Sequence, residues 1–367
     1  MSRRKFLGLS AAAAAGVMLV GCSGGGSDAA STEGGDESNS ASADMKTVSI
    51  AAQPNSGQVF VYIAKDQGYL AEEGIDIKME YINNGTDAFQ AMDAGKVDIM
   101  STYGTGGPLI QIAAGKEYTI FGGYMITGET PCFGKPETEW KDLESFRGKK
   151  IGITRFGTPD IVLKGVLYDA GLYNGPDDAE VEFVEFKTNQ ETLQAVANGE
   201  IDFGATATGY ELQAEALGLE IKMWPDDYWH DHSCCRMECL TSFLEDEGNQ
   251  ESLYRMFRAF IRAEEYLQDN KDRVVELVVN ELDLDQPTVE SFVYSEHMKY
   301  NTDPNKKAVE TMWDKMKAFG YIDNEDINID DHINVDIYGK ALQSLVDDYP
   351  DDAFFQQKLE EFNKNDA

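Results

Sequence analysis

Sixty-six acidic residues against 31 basic ones leave this 367-residue chain with a formal charge of −35, and a field of that sign repels phosphate backbones, which excludes nucleic acid as a partner. Runs such as 347–352 spread the acidity over solvated helix faces. From Met45 onward about 320 residues remain, more than one typical core organises, so two lobes are expected.

The chain starts Ser2-Arg3-Arg4-Lys5-Phe6-Leu7, continues as the apolar run 9–20 and closes on Leu19-Val20-Gly21-Cys22. A charged start, an apolar segment too short for a bilayer and a small residue before a cysteine define residues 1–21 as a secretory signal with a lipoprotein cleavage box. Cys22 then becomes the lipidated N-terminus. At about 0.8 kcal/mol per buried CH₂, two or more acyl chains hold it durably on the outer face of the cell membrane. The paired arginines also resemble a twin-arginine address, which exports folded proteins; Arg3-Arg4-Lys5 serves equally as an ordinary basic start. Residues 22–44 hold, after the cysteine, only Gly, Ser, Ala, Asp, Glu, Asn and Thr. No core forms from these, and they predict a flexible tether with a reach of about 25 Å.

From Thr47 strands alternate with helices. Val48-Ser49-Ile50-Ala51 reads as a strand, Gln53-Pro54-Asn55-Ser56-Gly57 as a turn, and 58–67 as a helix stopped by Gly68. Residues 75–81 alternate as a second strand, 86–94 form a helix ending on Gly95, and 97–100 give a third strand. The grammar recurs at 149–153, 161–170, 181–186, 190–198 and 201–204. The segment Ala91-Met92-Asp93-Ala94-Gly95-Lys96-Val97-Asp98 returns as Ala195-Val196-Ala197-Asn198-Gly199-Glu200-Ile201-Asp202. Such alternation implies parallel sheets covered by helices, two lobes on one plan. Beyond Phe243 five helices follow, at 251–269, 271–280, 286–296, 306–319 and 334–346, with Leu253, Phe257, Phe260, Ile261, Tyr266 and Leu267 on one core face. These helices are read as packing and lobe closure.

Three motifs carry a family resemblance: Ala64-Lys65-Asp66-Gln67-Gly68-Tyr69-Leu70-Ala71-Glu72-Glu73-Gly74-Ile75, the two Gly-x-Val/Ile-Asp repeats, and Leu143-Glu144-Ser145-Phe146-Arg147-Gly148-Lys149-Lys150-Ile151-Gly152. From about Thr47 to Asp269 the chain resembles ABC-transporter solute-binding lipoproteins of the nitrate/sulfonate/taurine, pyrimidine-precursor-like kind. The resemblance implies an α/β, two-lobed type II periplasmic-binding-protein fold, each lobe a mostly parallel sheet flanked by helices, with a helical C-terminal region. The expected bounds are 45–130 for the first part of lobe 1, 131–228 for lobe 2, and 229–367 for the return to lobe 1 and the C-terminal helices. It also implies a monomer without enzymatic activity or cofactor, which hands a small-molecule solute to a membrane permease and its ATPase.

In open parallel sheets ligands sit beyond the carboxyl ends of the strands. The loops there are 53–58, 102–108, 154–160 and 206–211, rich in Gly, Ser and Thr, whose free N–H groups and hydroxyls favour anionic groups. Arg155 is the candidate for gripping a carboxylate or sulfonate in a bidentate fork. Tyr103, Tyr124, Phe156 and Tyr210 are candidate aromatic walls. Gln53, Asn55, Ser56, Gln58, Gly104, Thr105, Gly157, Thr158 and Thr206 are candidate polar or backbone contacts. Glu211 repels an anion or holds an amine. An arginine with a carboxylate fits an anionic or zwitterionic organic solute, of sulfonate, carboxylate or vitamin-precursor type, better than nitrate.

The stretch His230-Asp231-His232-Ser233-Cys234-Cys235-Arg236-Met237-Glu238-Cys239 is the densest chemistry after the tether. It admits three readings: a metal site, against which stands the absence of finger spacing; a disulfide of Cys132 with Cys234, Cys235 or Cys239, or a vicinal pair; or small buried residues at the hinge. Through the resemblance, Cys234, Cys235 and Arg236 are candidates for the pocket lining. The rival class is a metal-binding or pyrimidine-synthase-like enzyme centred on 230–239.

Overall fold

A computed structural model describes residues 45–53, 58–324 and 326–366. The expected signal peptide, the lipidated Cys22 and the tether lie outside the described residues, as do Asn55 and Ser56. No helix among the described residues is long and apolar enough to cross a membrane.

The first lobe is laid down as β1 (Lys46–Ala52), α1 (Val59–Asp66), α2 (Tyr69–Glu72), β2 (Ile75–Tyr81), α3 (Gly85–Asp93), β3 (Ile99–Met100), α4 (Gly106–Ala113) and β4 (Tyr118–Gly123). The chain then crosses over through β5 (Met125–Thr127) and enters the second sheet as β6 (Cys132–Gly134). There β7 (Lys150–Ile153), α5 (Thr158–Asp169), β8 (Glu182–Glu185), α6 (Asn189–Asn198), β9 (Phe203–Ala205), α7 (Glu211–Ala216) and β10 (Glu220–Met223) follow, and β11 (Arg236–Leu240) returns to the first sheet.

The two sheets have the same order. The first runs β2-β1-β3-β11-β4 and the second β8-β7-β9-β6-β10. In each, the first three strands pair in parallel, as in Val48↔Ile77 and Ile151↔Phe203. The crossover strand takes the fourth place antiparallel to its neighbours, β11 against β3 and β4 and β6 against β9 and β10.

The repeated octapeptide has a physical basis. Gly95 and Gly199 adopt left-handed φ of +65° and +76°, which lets each chain reverse out of its helix. The aspartate three residues on then binds the first strand of its own lobe: Ser49 N–H donates to Asp98 Oδ2 at 2.7 Å, and Lys150 N–H donates to Asp202 Oδ2 at 2.9 Å. One local device thus fixes the strand 3 to strand 1 register twice.

The C-terminal region comprises α8 (Thr241–Leu244), α9 (Glu247–Asp269), α10 (Lys271–Leu282), α11 (Gln286–Val293), β12 (Lys299–Tyr300), α12 (Lys306–Ala318), α13 (Asp336–Asp348) and α14 (Ala353–Asn365). Helix α9 buries Leu253, Phe257, Phe260 and Ile261 against α1 and α13 in the first lobe's core. Helix α14 adds to the five helices read from the sequence; its signal, an Asp352 cap with Phe355, Leu359 and Phe362 at helical spacing, was masked by the acidic run before it. Helix α12 packs on α5 of the second lobe, where Lys315 ion-pairs with Asp169. The chain after residue 229 therefore serves both lobes. A second apolar cluster runs accordingly from Met100 and Leu109 through Ile151, Ile161 and Phe203 to Trp313 and Phe319.

Candidate functional site

A cavity of about 450 Å³ lies between the lobes, at the carboxyl ends of β1, β3, β7 and β9, where a parallel α/β sheet leaves unfilled backbone groups. From the first lobe come Gln53, Asn83, Thr102, Tyr103 and Gly104, and from the second Thr154, Gly157, Thr158, Asn189, Thr208 and Tyr210. The crossovers add Met125, Glu129, Thr130, Cys234 and Cys235, and the C-terminal region adds Phe292, Met298 and Tyr300. Depressions of about 660 and 890 Å³ lie elsewhere, against α14 and on the far end of the second lobe; neither sits at the carboxyl ends of the parallel strands.

The two crossovers run side by side. Cys235 N–H donates to Met125 O at 2.8 Å and Cys234 N–H to Ile126 O at 3.4 Å. A Cβ on Gly128 would stand 2.3 Å from Cys234 Sγ, so this approach requires a glycine. Strand β12 pairs with β5, with Tyr300 opposite Met125, and this small sheet delivers Met298 and Tyr300 to the cavity wall. The sequence reading gave residues 286–300 no part in the site, because their side chains reach it only through that long-range pairing.

Eight of the sequence-derived candidates line the cavity: Gln53, Tyr103, Gly104, Gly157, Thr158, Tyr210, Cys234 and Cys235. Gln58, Thr105, Tyr124, Thr206 and Glu211 are not among the lining residues. Gln58 donates to Ser101 Oγ at 3.0 Å, and Tyr124, fully buried, accepts from Val59 N–H at 2.9 Å at the start of α1. Thr105 ties α4 to the return crossover by donating its N–H to Cys234 O at 2.8 Å. Thr206 is buried, with its N–H bonded to Pro131 O. Glu211 opens α7 with Oε1 buried and unpartnered, and burial pushes its carboxyl above the ordinary range.

Both arginine assignments are corrected. Arg155 is half-exposed, pairs with Glu185 at 3.4 Å and lies over the rings of Phe156 and Tyr321. The cause is Asp160, fully buried, which ion-pairs with Lys164 at 2.7 Å and accepts from Phe156 N–H at 2.9 Å and Tyr321 Oη–H at 2.6 Å. This pins Phe156 at φ +65° and swings its ring out against Tyr321, carrying residues 155–156 away from the cavity while Gly157 and Thr158 face it. Arg236 is wholly buried in β11. Its Nε donates to Pro304 O at 2.7 Å and its Nη1 to Cys235 O at 3.1 Å; burial lowers its pKa to about 10 against the pull of Asp303. Cys234 and Cys235 both reach the cavity, so alternation alone does not set the direction of Arg236; the carbonyls of Pro304 and Cys235 hold its guanidinium inward.

Among the described residues the lining therefore contains no Lys, Arg or His. Among the described lining residues the one carboxyl is Glu129, nearly inaccessible, whose pKa burial and the nearby Glu211 and Asp226 push up to about 7. Thr130 Oγ1, Thr154 Oγ1 and Asn189 Oδ1 are buried without a partner in the protein. Buried oxygens are ordinarily paired, and these three belong to residues of the cavity lining. With Tyr103, Tyr210, Phe292 and Tyr300 around them, the walls suit a flat ring.

The cysteines resolve toward thiols. Cys132, Cys234, Cys235 and Cys239 are buried and free. Cys132 lies opposite Ala205 and Met223 in the second sheet and Cys239 opposite Ile99 and Thr119 in the first, so these two cysteines sit in different sheets. Cys234 and Cys235 hold their sulfurs 3.7 Å apart, and the neighbouring thiol together with burial raises the pKa of Cys235. His232 is fully buried, with Nδ1 3.3 Å from Trp229 O and its pKa lowered to about 4 by burial. Among the described residues, no three ligating side chains of 230–239 converge.

Residues 55–274 match the family model described as "NMT1/THI5 like". A stretch of 71 residues is 34% identical to a formylaminopyrimidine-binding protein of Halalkalibacterium halodurans, a match that spans 18% of this chain and 22% of that protein's length. The fold is shared with the ligand-binding component of an ABC-type import system from Staphylococcus aureus, solved with zinc bound (TM-score 0.64, 15% identity, 81% of this chain and 99% of that one). It is shared also with the periplasmic aliphatic sulphonate binding protein of Escherichia coli (TM-score 0.60, 17% identity, 74% and 87%). The repeated sheet order, the interlobe cavity and a model match over more than half of the sequence converge: the chain belongs to the NMT1/THI5-like family, on a periplasmic-binding-protein fold.

Proposed function

We propose that this chain is the extracytoplasmic solute-binding component of an ABC importer, exported by its N-terminal signal and anchored through Cys22, and that its cleft takes a small, flat, amine-bearing heteroaromatic solute of the aminopyrimidine class. The observation that carries the ligand class is the composition of the cavity wall among the described residues: four aromatic rings, several hydroxyl and amide oxygens, one carboxyl and no cation. A bare anion finds no charged partner there. Ring N–H and amine donors find Glu129 and the hydroxyl and amide groups of the wall. The local match to a formylaminopyrimidine-binding protein supports the same class. In this reading the protein performs no chemistry on its ligand, in keeping with a Cys235 thiol whose pKa its neighbour and burial raise and with an enclosed His232 whose pKa burial lowers to about 4.

Isothermal titration of the purified protein with 4-aminopyrimidines, alkanesulfonates and nitrate tests the assignment. Binding of an aminopyrimidine at micromolar concentration or below, with none of an alkanesulfonate, is the expected result; the reverse order of affinities overturns it.

A further inference from the structure

A second side-chain cluster, outside the cleft, joins segments seventy residues apart. Asp226 and Asp227 lie in the short turn Pro225–Asp227 that follows β10, and His297 lies in the loop before β12. One ligating atom from each falls within 4.8 Å of the other two. His297 Nδ1 stands 2.8 Å from Asp226 Oδ2. Trp224 stacks on the imidazole at 3.9 Å between centroids and 12° between planes, which fixes the ring's direction. The second oxygen of Asp226, Oδ1, is buried and has no hydrogen-bond partner. Among the described residues neither aspartate is ion-paired to a lysine or arginine, since the nearby Lys299 is engaged with Asp231 at 2.9 Å. The cluster opens onto a depression of about 250 Å³ that His230 and Glu296 also line.

We propose that His297, Asp226 and Asp227 form a binding site for a divalent cation of the zinc class. Two carboxylates converging on one imidazole repel each other unless positive charge sits between them. An imidazole with carboxylates is a borderline donor set that suits zinc, whereas calcium and magnesium prefer all-oxygen shells. The open side toward His230 and Glu296 leaves room to complete four-coordination. The site ties the edge of the second lobe to the segment that carries Met298 and Tyr300 into the cleft wall, so its occupancy braces that wall.

The test is equilibrium dialysis of the full, tag-free chain against zinc alone, with bound metal counted by mass spectrometry. One equivalent is expected. His297→Ala and Asp227→Asn should each weaken it at least tenfold, while the double variant Cys234→Ser/Cys235→Ser retains it. Asp227 is exposed, so Asp227→Asn tests the site without disturbing the fold, as a metal-free thermal melt will verify. Absence of stoichiometric zinc, its loss in the cysteine double variant, or full retention in both His297→Ala and Asp227→Asn overturns the proposal.

Discussion

Cys235 and Arg236 are adjacent in one extended segment, yet the thiol lines the interlobe cavity and the guanidinium is sealed in the first lobe against Pro304 O at 2.7 Å. The consequence is a cleft without a cation among its described residues, and a buried arginine whose task is to balance Asp303 and Asp366. Arg236→Leu strands those carboxyls and should cost about 3–5 kcal/mol of stability, read by urea denaturation. Arg155, a half-exposed ion pair, should cost under about 1 kcal/mol on replacement by alanine and leave ligand affinity within twofold. A tenfold loss in Arg155→Ala would return that residue to the site.

Glu129 should make binding depend on pH. Its folded pKa of about 7 lies above the ordinary glutamate value near 4.5. Between those values the folded state holds a proton that the unfolded chain has lost, so stability falls as pH rises through this window, by an amount on the order of 3 kcal/mol. Glu129→Gln should abolish that slope. Affinity for an amine-bearing ligand should rise as pH passes 7 in the parent protein and stay flat in the variant, as titration calorimetry from pH 5.5 to 8.5 would show.

Gly106 at the start of α4 meets Ile161 of α5 across the lobes. A Cβ there would stand 2.1 Å from Ile161 Cδ1, closer than any real contact. Gly106→Ala should push the lobes apart and cost roughly 1–3 kcal/mol by overpacking, with ligand affinity falling about tenfold or more. Ile161→Val removes the offending methyl, and the double variant should recover most of the loss; additive effects would place the strain elsewhere.

The turn that faces the cleft at Gly157 and Thr158 depends on the buried Asp160–Lys164–Tyr321 network. Lys164→Met leaves the Asp160 carboxylate uncompensated in the interior and should destabilise by about 3–5 kcal/mol. Asp160→Asn in the same chain should return part of it, because a neutral amide no longer needs a buried cation. Thermal melts of the single and double variants decide this, and a double variant worse than Lys164→Met alone would refute it.

The local signals were strong where the physics is local. Alternation, glycine stops and the Gly-x-Val/Ile-Asp repeat, with Asp98 and Asp202 each gripping the first strand of its lobe, determined a duplicated parallel α/β plan and the cleft loops that hold Gln53, Tyr103, Thr158 and Tyr210. Tertiary structure decided which side chains look into the cleft. Arg155 is withdrawn by a left-handed Phe156 that Asp160 pins from beneath, and Arg236 by its bonds to the carbonyls of Pro304 and Cys235. Glu129, Phe292, Met298 and Tyr300 arrive through crossovers and a two-stranded pairing between residues some 170 apart in the chain. Chain direction follows from local backbone preference, but the face a side chain presents depends on register and on partners distant in sequence, which no local pattern encodes.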